Sequence, residues 1–144
     1  MEMDQLYSDI ILEHNQSQEN KRELEKFTLQ EHGHNPSCGD DITLRADIQD
    51  GIVKDAAYTG HGCAISQASA DMMIDVIKGK TVEEALRLTN LFLDMIKREV
   101  TDDDELEDLE DAIALKNISN MPARVKCAVL AWHTLKEAIE RDRQ

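Results

Sequence analysis

Aromatic side chains are scarce in this chain of 144 residues: one Trp, two Tyr and two Phe, or 3% of the total. With 41% hydrophobic residues, its core must therefore be built from Leu, Ile, Val, Met and Ala. No apolar run approaches the roughly 20 residues that cross a bilayer as a helix. Cations are also few, 16 Lys and Arg against 30 Asp and Glu, giving a formal net charge of −14. A body so acidic repels phosphate backbones, and no basic cluster overrides that field, so nucleic acid and anionic membrane are poor partners. A basic protein partner and plain solubility explain the charge equally well. The start, Met1 to Leu12, is broken by Glu2, Asp4 and Asp9 and lacks the pattern of a signal peptide, so a cytoplasmic protein is expected. The Gly-rich phosphate loop, the Gly-x-Ser-x-Gly elbow and the two-His zinc-protease motif are all missing, which removes most common enzyme classes.

What remains fits one domain over residues 1–144, long enough to bury a core without metal or disulfide. Leu6, Ile10 and Ile11 fall at helical spacing within Met3–His14. Phe27–Leu29 gives a weak edge-strand signal, and Gly33–Asp41 is dense in breakers and reads as a loop. Ile42, Leu44, Ala46 and Ile48 alternate with polar residues, Asp50-Gly51 marks a turn, and Ile52–Thr59 returns as the partner strand. A helix is expected from Ile65 to Ile77, ended by Gly79. Another begins at the Thr81/Glu84 capping pattern and runs to about Val100. Asp102–Asp111 reads as a solvated acidic insert containing Leu106 and Leu109. Pro122 opens a last helix with Val125, Val129, Trp132, Leu135 and Ile139 along one side. A helix, a hairpin, then several helices make an α+β fold, a small antiparallel β-sheet covered by helices on one face.

The three cysteines, Cys38, Cys63 and Cys127, cannot all pair, and a reducing compartment would keep them as thiols. Each sits where the backbone changes direction. They are buried small side chains, catalytic thiols or metal ligands. Three thiolates with Asp40 would suit tetrahedral zinc, with Zn–S near 2.3 Å and a summed charge of about −2. Arg124 and Lys126 flank Cys127 as candidate counter-charges. The separations, 25 and 64 residues, contain no short Cys-x-x-Cys pair, so spacing alone leaves the metal site undecided. His14, His32, His34, His61 and His133 are rival ligands. His61, two residues before Cys63, is the strongest of them, and His32 and His34 read as solvated loop residues.

The stretches Asn35-Pro36-Ser37-Cys38-Gly39-Asp40, Gly60-His61-Gly62-Cys63-Ala64-Ile65-Ser66 and Pro122-Ala123-Arg124-Val125-Lys126-Cys127-Ala128, with Leu130-Ala131-Trp132, resemble the SufU branch of the NifU/IscU-like family. The similarity spans nearly the whole chain. IscU-type scaffolds carry a His immediately before the last Cys, where this chain has Lys126, and SufU-type proteins carry an insert, which segment 101–120 resembles. The resemblance implies a zinc-dependent sulfurtransferase for iron–sulfur cluster assembly. Zn2+ would be held by Cys38, Asp40, Cys63 and Cys127, and Cys38 would be the catalytic acceptor of persulfide sulfur. The partner would be a SufS-type, pyridoxal-phosphate cysteine desulfurase, one of whose His residues takes the place of Cys38 on the zinc. Downstream cluster assembly proteins would follow, and Arg124 and Lys126 would serve partner binding. The alternative is an IscU-like scaffold that assembles a [2Fe-2S] cluster on the same ligands. A third reading, purely structural zinc in an adaptor, predicts that Cys→Ser changes unfold the chain.

Overall fold

A computed structural model describes residues 2–143; Met1 and Gln144, which the sequence reading includes in the domain, lie outside the described residues. Helix α1 (Glu2–Gln16) leads through a coil to strands β1 (Leu29–Asn35), β2 (Asp40–Gln49) and β3 (Ile52–His61). Helices α2 (Ala64–Ile77), α3 (Val82–Ile96) and the short α4 (Asp103–Leu106) follow. A 3-10 segment, Glu107–Asn120, then precedes α5 (Pro122–Asp142). Among the described residues the sheet is antiparallel, in the order β1-β2-β3. Among the same residues, no helix is long and apolar enough to cross a membrane.

The hairpin forms where the alternation places it. Gln49 pairs with Ile52 across Asp50 and Gly51, whose φ values of 55° and 75° give the doubly left-handed turn that matches strand twist. Ile42, Leu44 and Ala46 point from β2 into the core, met by Val53, Ala56 and Tyr58 of β3. Helix α2 lies at the centre. Ala68, Ala70, Met72, Met73, Ile74, Val76 and Ile77 are buried around it because α1 and α5 both pack against it. Helix α5 also covers β1 and β2, placing Cys127 over the sheet corner where Cys38 and Asp40 lie.

Four details depart from the sequence reading. Strand β1 runs through Asn35, into the stretch read as a loop. Its burial alternates only loosely, and its backbone pairing with β2 carries it despite a breaker-rich composition. His32 and His34 are exposed as expected, but on this strand, where His32 Nε2 meets Asp41 Oδ1 at 2.6 Å. On α1, Leu6 is half exposed, and Tyr7 joins Ile10 and Ile11 in facing the core. Helix α3 stops at Ile96 rather than Val100. Arg98 takes φ 63°, its N–H donates to Met95 O, and Glu99 N–H donates to Asp94 O, a Schellman ending without glycine.

The fourth departure is the acidic stretch. Its carboxylates are mostly exposed, yet Leu106, Leu109, Ala112, Leu115 and Ile118 are buried in the core. These residues recur every third position, the period of a 3-10 helix, whose turns eclipse at three residues. The run is interrupted at Glu110, with φ 51° and ψ −129°.

His14 stitches three elements together. Its Nδ1 lies 2.6 Å from Asp71 Oδ2 on α2, and its Nε2 lies 2.9 Å from Asp111 Oδ2 in the 3-10 segment. Asp75 Oδ2 is 3.9 Å away. The Asp71 hydrogen bond, opposed by burial and helped by Asp111, raises the imidazole pKa from 6.5 to about 9. The protonated ring therefore contributes stability that is complete below the unfolded value near 6.5 and is lost as pH rises through about 9. In chelator-treated protein, melting temperature should fall between pH 7 and pH 10, and His14→Gln should flatten that fall. A wild-type slope equal to that of the variant would contradict the ion-pair account.

Candidate metal centre

Each candidate ligand is placed by a local backbone feature. Cys38 sits in the tight turn joining β1 to β2, its N–H donating to Asn35 O at 3.3 Å, and its side chain is exposed. Asp40 opens β2 and is fully buried. Cys63 is the N-cap of α2, and its sulfur accepts the Ser66 N–H at 3.5 Å. Cys127 lies in the second turn of α5 and is fully buried.

These residues converge. The Sγ atoms of Cys38 and Cys127 are 3.0 Å apart, and the donor atoms of Cys38, Asp40 and Cys127 all lie within 4.8 Å of one another. Cys63 joins less directly, through contact with Cys127 and through its own N–H, which donates to Asp40 Oδ1 at 2.8 Å. Ser66 Oγ also donates to Asp40 Oδ1, at 3.2 Å, whereas Oδ2 accepts from Asn35 Nδ2 at a long 3.5 Å. One carboxylate oxygen is thus fixed by the fold, and the other is only lightly held.

The donor set fits zinc. Tetrahedral ligands at about 2.0–2.3 Å from the ion sit roughly 3.3–3.8 Å from each other, a spacing that small side-chain adjustments reach from the cluster described. Burial pushes the Cys127 thiol well above its ordinary value, and the contacts with Cys38, Cys63 and Asp40 push it the same way. The Cys127 thiol thus resists ionisation by itself, and a divalent cation would supply the missing positive charge. The N-terminus of α2 adds a partial positive charge at Cys63.

Gly62 makes the corner possible. A Cβ on it would lie 2.7 Å from Asp40 Oδ1 and would collide with Ser66 Oγ. Gly62→Ala should therefore displace Asp40 and weaken zinc binding about 10–100-fold, read by competition with a chromogenic chelator. Wild-type affinity in that variant would show that Asp40 placement does not matter.

Arg124 and Lys126 are exposed in the opening turns of α5 and precede Cys127 in sequence. His61 is exposed at the end of β3 and falls outside the convergent set. His14, by sequence a rival ligand to the thiols, belongs instead to a separate cluster with Asp71 and Asp75. The i, i+4 spacing of those two aspartates was the available signal. An apolar groove of about 460 Å³ runs between α1, the start of α2 and the 3-10 segment, lined by Tyr7, Ile11, Leu12, Ile65, Ile118 and Met121.

Comparison with known proteins places this corner in a context. Residues 6–143 match the NifU-like N terminal domain. The iron–sulfur cluster assembly scaffold protein IscU of Thermotoga maritima is 43% identical over 136 residues, covering 94% of each chain. The zinc-dependent sulfurtransferase SufU of Bacillus subtilis is 40% identical over 140 residues, covering 97% of this chain and 93% of its own. The crystal structure of an iron–sulfur cluster assembly scaffold protein for the SUF system from Fervidobacterium islandicum AW-1 superposes with a TM-score of 0.86. It is 36% identical, and the match covers 94% of this chain and 97% of that one. With sequence and fold matched over nearly its full length, the chain belongs to the NifU-like N-terminal domain family, the IscU/SufU proteins of iron–sulfur cluster assembly.

Proposed function

We propose that this chain is a zinc-dependent sulfurtransferase, accepting persulfide sulfur from a SufS-type cysteine desulfurase and passing it to downstream cluster assembly proteins. The observation that carries this reading is the unequal exposure of the candidate ligands. Cys38 is exposed on a turn, Cys63 is half-buried, and Asp40 and Cys127 are fully buried. A docked partner can reach one sulfur, and that sulfur can leave while the others stay in place.

Zinc bound by Cys38, Asp40, Cys63 and Cys127 would keep the thiols deprotonated at neutral pH. The Cys38 thiolate attacks the outer sulfur of the partner's persulfide. A new S–S bond forms on Cys38, the old one breaks, and the desulfurase cysteine leaves as a thiolate, so neither electrons nor protons are needed from outside. Asp40 and Cys127 remain anchored because both are locked in the core. Cys63 keeps the Ser66 N–H at its sulfur. Arg124 and Lys126 meet the partner's surface and offset the local negative charge. The Bacillus subtilis relative's name and the presence of Lys126 before Cys127 both support this reading. The reduced thiols suit a cytoplasmic setting.

Mass spectrometry of peptides after incubation with cysteine and such a desulfurase tests it. One added sulfur atom is expected on the Cys38 peptide, and persulfide confined to Cys63 or Cys127 would overturn the assignment. A second reading, assembly of a [2Fe-2S] cluster on the same ligands, draws on the Thermotoga maritima relative named as a scaffold. It predicts a brown protein after anaerobic reconstitution with iron and sulfide, with no effect on desulfurase turnover.

A further inference from the structure

We propose a second cation site, apart from the thiol cluster, in which His14, Asp71 and Asp75 hold a divalent first-row ion of the harder kind, Mn2+ or Fe2+. The donor atoms of these three residues lie within 4.8 Å of one another. Asp71 and Asp75 are one helical turn apart on α2, so both carboxylates leave the same face, opposite His14 of α1.

The cluster has the orienting shell that metal sites require. Asp111 Oδ2 lies 2.9 Å from His14 Nε2, a carboxylate–imidazole pair that fixes the proton on Nε2 and turns Nδ1 inward. The Asn20 side-chain amide, itself buried, donates to Asp71 Oδ1 and Asp75 Oδ1 at 2.9 Å each and to the Asp71 main-chain oxygen at 3.2 Å. Asn20 thereby holds one oxygen of each carboxylate. The other oxygens, Asp71 Oδ2 and Asp75 Oδ2, face His14 Nδ1 at 2.6 and 3.9 Å. Three inward atoms thus face one another, with the Asn20 amide steering both carboxylates and Asp111 steering the imidazole.

Charge points the same way. Three carboxylates surround one imidazole, and among the described residues none of the three pairs with a lysine or arginine. Even with His14 protonated, the cluster carries an excess of about two negative charges. An ion that displaces the Nδ1 proton takes that sum from about −2 to about −1. The Asp75 side chain is 45% exposed while Asp71 is 3% exposed, so one side stays open to water ligands. One imidazole, two carboxylates and water suit Mn2+ or Fe2+, whereas the thiolates suit zinc.

The test uses the full chain loaded with zinc, titrated with Mn2+ and followed by the electron paramagnetic resonance signal of free Mn2+. One Mn2+ per chain should bind. His14→Gln and Asp75→Asn should each weaken it at least about tenfold, and Asp111→Asn about 10–100-fold, with zinc content unchanged in all three. Asp75 is half exposed, so its variant folds even where His14→Gln does not. Absence of Mn2+ binding to the wild type, or binding unaltered by Asp75→Asn, would overturn the site and leave an ion-pair cluster only.

Discussion

Cys38→Ala should abolish sulfur acceptance, cutting transferred persulfide on the order of 100-fold or more, while leaving the fold almost untouched. Both halves follow from placement. The side chain is exposed on a turn and contributes no core area, so the variant should melt within about 1–2 °C of wild type. Its sulfur is also the group that a partner's persulfide can meet, because Cys127 behind it is fully buried. Cys127→Ser separates the two effects. It puts a hydroxyl where burial admits no water and should cost about 1–3 kcal/mol of stability besides disturbing zinc. The pair of variants, measured by desulfurase turnover and thermal melting, distinguishes acceptor from structural ligand. A Cys38→Ala protein that stimulates turnover fully would remove the acceptor role. A Cys38→Ala protein that unfolds would support structural zinc instead.

The largest stability effect is expected at Trp132. Its indole is fully buried, stacked on Phe92 at 4.1 Å between ring centroids and 6° between planes. Its Nε1–H donates to Ser69 Oγ at 2.8 Å, and Ser69 Oγ–H in turn donates to Ala128 O at 2.6 Å. This chain of contacts fastens α5 to α2, the two helices that carry Cys127 and are capped by Cys63. Trp132→Ala removes the ring, leaves a cavity and strands the serine, costing about 3–5 kcal/mol, or roughly 10 °C in melting temperature. Trp132→Phe keeps an aromatic face against Phe92 and loses chiefly the N–H, costing about 1–2 kcal/mol. Equal losses in both variants would show that the hydrogen bond, not the packing, holds the helices.

The sequence displays some of this plainly and hides the rest for identifiable reasons. The hairpin is legible because Ile42, Leu44 and Ala46 alternate around a turn that only a left-handed pair such as Asp50-Gly51 closes. Pro122 and Thr81 mark helix starts for equally local reasons. Strand β1 is hidden because an edge strand can be built from His, Gly and Asn when a neighbour supplies the hydrogen bonds. The 3-10 segment is hidden by its carboxylates; the period of three from Leu106 to Ile118 is visible only when the acidic positions are set aside. At the candidate metal centre, the donor atoms of Cys38, Asp40 and Cys127 lie within 4.8 Å of one another. The N-cap role of Cys63 and the hydrogen bonds that fix Asp40 depend on how the β3–α2 corner folds, which residue spacing does not encode. The His14 cluster joins positions 97 residues apart at its widest, and its one local mark is the i, i+4 pair Asp71 and Asp75.

The most direct measurement is zinc K-edge X-ray absorption of the purified, zinc-loaded protein. The account predicts a four-coordinate ion with three sulfurs near 2.3 Å and one oxygen at about 2.0–2.2 Å, and loss of one sulfur in Cys38→Ala. A shell of nitrogen and oxygen alone, or a sulfur count unchanged by that substitution, would contradict it.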